Sequence, residues 1–147
     1  MPIVRAFEGF LVKANHAEQV VSPAYDAVSP EERRRFAEQH PENFLNTMRL
    51  LEDFAPDNRP TIEELLVSNR SNLDHLIDSG FFNQLGEPCL FIYQLRSGDH
   101  CQTGIVGEVA VTEYEQNKLR KHENTLREKE DLLAHYQKVV GVSSSPI

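Results

Sequence analysis

The stretch from Thr61 to Gly80 constrains the fold more than any other. Thr61-Ile62-Glu63-Glu64 is a capping box, in which the threonine hydroxyl takes an N–H of the first turn and the glutamate reaches back. Ile62, Leu65, Leu66, Asn69, Leu73, Leu76 and Ile77 then recur at helical spacing. Gly80 supplies the stop, because glycine accepts the left-handed backbone that ends a helix. The spacing predicts a helix from Ile62 to about Ser79, with His75 on its surface. A helix with one apolar stripe needs a second layer to bury it.

A second capping box, Ser29-Pro30-Glu31-Glu32, predicts a helix running to about His40 and stopping before Pro41. Arg33, Arg34 and Arg35 fan around it, which reads as a solvated helix. Asn15 to Val20 fits one short helical turn, and Ser22 to Asp26 a proline-bearing loop. Four segments near 4–12, 43–51, 88–96 and 103–112 read as strands. Cys89 to Leu95 is apolar on both faces and so is expected inside a sheet. Gly104 and Gly107 suggest close backbone approach in the strand that follows.

These elements predict one α+β domain over residues 1–147: a small mixed β-sheet with packed helices. Leu65, Leu73, Leu76, Phe91, Ile92 and Val109 are the expected core. A turn near Ser97 to His100 sets Cys101 opposite Arg96 and Cys89 near Glu108. The two thiols are then too far apart to bridge, and each is read as a small buried hydrophobe. A third helix follows His122, with Leu126, Leu132, Leu133, Tyr136, Val139 and Val140 on one face. That face and the run from Val140 to Ile147 have little visible to pack against. The chain is therefore expected to be the N-terminal part of a longer protein.

The net charge is −8, which disfavours broad binding to nucleic acid through long-range repulsion of phosphate backbones. No secretory leader pattern and no apolar run of membrane-spanning length are visible, and two cysteines make neither a disulfide framework nor a zinc quartet. The expected compartment is a reducing cytoplasm, and no membrane partner is expected.

Chemistry concentrates at Lys121-His122-Glu123-Asn124-Thr125. An imidazole and a carboxylate there can move a proton or touch a metal. Thr125 to Glu128 is also a capping box, so Thr125 reads either as a helix cap or as part of a phosphate site at a helix start. His122 is either a surface histidine or a functional one. His135 stands too far along to complete a two-histidine metal motif, and no metal ligand set is assigned. Tyr25-Asp26 lies in a loop, where it is either a turn former or part of a site. If the two stretches serve one site, Tyr25 or Asp26 is expected close to His122 or Glu123.

Taken in order, several short motifs resemble the prokaryotic family known as domain of unknown function 1015. They are Val21 to Ser29, Pro41-Glu42-Asn43, Phe91-Ile92-Tyr93-Gln94, Gly104-Ile105-Val106-Gly107, Lys121 to Thr125, Lys129-Glu130-Asp131 and Ser145-Pro146-Ile147. Two departures stand out. Pro23-Ala24-Tyr25-Asp26 replaces the usual Pro-Pro-Tyr-Asp, and Asp131 is followed by Leu132 rather than arginine. The resemblance implies a longer protein related to the ParB and sulfiredoxin-like superfamily, which includes nucleotide hydrolases and kinases of free serine. It implies a nucleotide- or phosphate-using enzyme, with His122, Glu123 and Asp26 as catalytic candidates. Asn124, Thr125, Tyr25 and Lys121 would then bind a small phosphorylated molecule or a nucleotide, with magnesium as a possible companion. The remaining C-terminal part of the same protein is the implied partner. A non-enzymatic module that binds a small anion or a protein is the alternative.

Overall fold

A computed structural model describes residues 3–23, 27–119 and 126–143. In chain order the elements are β1 (Val4–Arg5), β2 (Phe10–Val12), α1 (Ala17–Val20), α2 (Pro30–Gln39), α3 (Ile62–Asp78), β3 (Phe82–Gln84), β4 (Phe91–Ser97), β5 (His100–Val106), β6 (Glu108–Val109), α4 (Val111–Glu115) and α5 (Arg127–Val140). This is an α+β fold. In place of one mixed sheet, the strands among the described residues form three two-stranded sheets, β1–β6, β2–β3 and β4–β5.

The chain gathers into two compact units. The helical unit comprises residues 12–83 and 127–144. Two of the three predicted capping boxes form there, and the third, at Thr125, lies outside the described residues. Ser29 and Glu32 exchange bonds at the start of α2, and Thr61 and Glu64 do so at the start of α3. The chain leaves α3 through Gly80 at φ +74°, the left-handed stop that the sequence anticipates. Leu65, Leu66, Leu73 and Leu76 on α3 are buried as the stripe requires. Val20, Leu76 and Phe81 form a core cluster with Val12, Phe44 and Phe82 against it.

The segment read as a strand over 43–51 is instead two short 3-10 turns, Phe44–Thr47 and Leu51–Asp53. Side-chain amides explain the difference. Asn43 Oδ1 accepts the Leu45 N–H at 3.0 Å, and Asn46 Nδ2 donates to the His40 carbonyl at 3.0 Å. Such local bonds give the backbone an alternative to a sheet ladder. The segment packs against α3, whose Asn69 and Asn72 donate to the carbonyls of Arg49 and Asn46 at 3.0 and 2.9 Å.

Arg33 departs from the solvated reading of its helix. It is 4 % exposed, with Nε 2.7 Å from Asp53 Oδ1 and a terminal nitrogen 2.5 Å from Glu52. Burial opposes its charge, but the two carboxylates outweigh burial and raise its pKa. This joins α2 to the Leu51–Asp53 turn. On α5, Val140 is fully buried and the Tyr136 hydroxyl donates to the Thr47 carbonyl at 3.0 Å, whereas Leu132 and Leu133 are exposed. That burial raises the Tyr136 pKa, and the bond to Thr47 acts against the rise.

The second unit comprises residues 1–11, 84–126 and 145–147. Its main element is the β4–β5 hairpin, antiparallel with Arg96 opposite Cys101 as the turn length predicts. Cys89 pairs with Phe7 rather than Glu108, which sits opposite Arg5. Neither cysteine is a buried hydrophobe: Cys101 is exposed and Cys89 half-buried, and both are free thiols. The core expected on these strands is also not buried. Ile92 is 79 % exposed, and Phe91 and Val109 are only half-buried, each on a two-stranded pair. Gly107 does mark close approach, since a Cβ there would stand 2.5 Å from Val4 Cγ1 and 2.8 Å from Leu90 Cδ2. Gly104 does not, as its missing side chain would point into open space.

Candidate functional site

Tyr25, Asp26, Lys121, His122, Glu123, Asn124 and Thr125 all lie outside the described residues, and so does the expected approach of the two stretches. What the structure does describe is how the chain is held on either side of Tyr25-Asp26. Upstream, Asn43 Nδ2 donates to the Val21 carbonyl at 2.7 Å and lies 3.4 Å from that of Gln19. Downstream, Arg33 donates to the Val28 carbonyl at 2.9 Å, and Ser29 caps α2. Two buried side chains thus hold the backbone at Val21 and at Val28. Asn43 is 1 % exposed and also caps the next 3-10 turn, so its amide links two of the quoted motifs, Val21 to Ser29 and Pro41-Glu42-Asn43.

An open cavity of about 270 Å³ is lined by Pro23, Val28, Glu32, Arg35, Phe36 and Gln39. Its chemistry is mixed. The Glu32 carboxylate is engaged by the Ser29 hydroxyl and backbone N–H at 2.6 and 2.8 Å. Those bonds hold its pKa below the usual carboxylate value, burial acts weakly against them, and Arg35 adds a small lowering. Arg35 is exposed and forms no ion pair with a described carboxylate. Phe36 supplies an apolar wall, and Gln39 an amide able both to donate and to accept. Such a lining suits a small anion with an apolar portion. Sequence reasoning passed over Arg35 and Gln39. The signal was there in the arginine run, but spacing alone does not say which arginine is spent on a buried carboxylate and which stays available.

Two of the quoted motifs pair with one another. Phe91, Ile92 and Tyr93 stand opposite Val106, Ile105 and Gly104, and Gln94 Nε2 lies 3.2 Å from Thr103 Oγ1. They build the hairpin, and the acidic residues Glu128 and Glu130 fall in the first turn of α5. Among the described residues no three His, Cys, Asp or Glu side chains gather as a metal site. No described helix is long and apolar enough to cross a membrane.

Fold and flanks together define a small α+β protein in which buried Asn43 and Arg33 hold Val21 and Val28, with an open cavity lined by Pro23 and Val28. The chain belongs to the family described as protein of unknown function (DUF1015), whose model matches residues 4–147. Neither the curated proteins nor the solved structures contain a match.

Proposed function

We propose that this protein binds a small phosphorylated molecule or a nucleotide and uses it in phosphoryl transfer to a small hydroxy amino acid such as serine. The observation that supports the reading is the open cavity with Arg35 on its lining, and with Pro23 and Val28, which bracket Tyr25-Asp26 in sequence, on it too. A guanidinium matches phosphate oxygens in charge and geometry. His122, Glu123 and Asp26 are the proposed proton carriers or metal contacts. Tyr25, Lys121, Asn124 and Thr125 are the proposed phosphate contacts, and magnesium would shield the transferred charge. The likeness to the ParB and sulfiredoxin-like superfamily belongs to this proposal, as does a cytoplasmic location.

Titration of the protein with ATP, with and without magnesium and serine, tests this directly. Saturable binding and turnover are expected. Arg35→Ala should weaken binding about tenfold, equivalent to about 1.4 kcal/mol. Undiminished binding by Arg35→Ala would remove the cavity from the site, and absence of binding would sink the enzymatic reading. The second reading is a binding module without turnover, and the exposed Ile92 and Ile105 of the hairpin favour it. Binding of phosphate with no product formed would support that module.

A further inference from the structure

The bonds that hold the Phe44–Asp53 segment leave two buried polar atoms over. Asn69 sits in the apolar stripe of α3 and is 1 % exposed. Its Nδ2 donates to the Arg49 carbonyl at 3.0 Å, while its Oδ1 is buried without a partner among the described residues. Arg49 lays its guanidinium over the Phe54 ring, with Cζ 4.2 Å from the centroid. Its Nε is buried and likewise without a partner. One leftover atom is an acceptor, the other a donor, and the two residues are already tied by a hydrogen bond.

Turning the Asn69 amide does not resolve this, because Oδ1 would then face the Arg49 carbonyl. An ion does not resolve it either. An anion would satisfy Nε–H and be repelled by Oδ1, and a cation would be repelled by the guanidinium. A neutral molecule that both accepts and donates answers both atoms. Buried polar groups in proteins are routinely completed by water in this way, and leaving them open is costly. We propose that Arg49 Nε and Asn69 Oδ1 hold one internal water molecule, which accepts from Nε–H and donates to Oδ1. It fastens the stretch between the two 3-10 turns to the middle of α3.

A crystal structure showing ordered solvent, together with oxygen-17 magnetic relaxation dispersion in solution, tests the site. One solvent peak is expected within about 3.2 Å of both atoms. The count of long-lived internal waters should fall by one in Asn69→Leu. A direct bond between the two atoms, two separate waters, an ion at the position or an unchanged count would overturn the proposal. If Asn69→Leu fails to fold, Arg49→Met removes the donor alone and should show the same fall. The crystal structure of the unaltered protein decides independently of either variant.

Discussion

Glu113 shows how much one carboxylate can organise where apolar burial is thin. Its Oε2 accepts the Ile3 N–H at 2.6 Å, and the Lys118 ammonium stands 3.3 Å from Oε1. The backbone bond lowers its pKa, burial opposes that, and Lys118 adds to the lowering. A carboxyl whose folded pKa lies below its unfolded one contributes its full stability above the unfolded value, about 4.3 for glutamate. The contribution is lost as pH falls through the folded value. Acid titration of the Ile3 amide by NMR should therefore show release only below the usual carboxylate range. Glu113→Gln should flatten that step, and an unchanged profile in the variant would place its cause elsewhere. Little in the sequence marks Glu113. An acidic residue near a helix start is common, and only the fold brings Ile3 to it. Asn43 is similar, since spacing does not reveal that its amide clamps Val21 from 22 residues away.

At the scale of elements, what was legible and what was not divide along the range of the forces involved. The capping boxes at Ser29 and Thr61 and the stop at Gly80 act within a few residues, so α2 and α3 could be read directly. The hairpin register followed from turn length. The 43–51 segment was misread because its conformation depends on amide bonds rather than on alternation of apolar residues. Arg33 was misread because Asp53, 20 residues away, decides its fate. This ion pair sets a firm expectation. Arg33→Met should destabilise the protein by about 3–5 kcal/mol, since it leaves the buried Asp53 charge without its guanidinium. Urea unfolding of the single variant and of Arg33→Met with Asp53→Leu checks it. The double variant should recover much of the loss. Equal instability of both would mean that packing at α2, not charge, carries the effect.

On the scale of the whole molecule, the two units differ in how they are held. Every described buried hydrophobic residue, from Val20 to Val140, lies in the helical unit. The other unit carries Ile92, Leu95 and Ile105 in the open on a two-stranded hairpin, an arrangement of marginal stability by itself. Hydrogen exchange should reveal this, with amides of β4 and β5 exchanging on the order of a hundredfold faster than those in the middle of α3. Matching rates would show that the units open together. Cys101 gains a use from this. Its exposed thiol sits on the hairpin, opposite Arg96, while Cys89 is half-buried with Sγ 3.3 Å from the Glu87 carbonyl. A thiol-directed dye supplied sparingly would reach Cys101 first. The sequence thus carries its own attachment point for a fluorophore on the hairpin, and the predicted opening could be watched in real time without engineering a label.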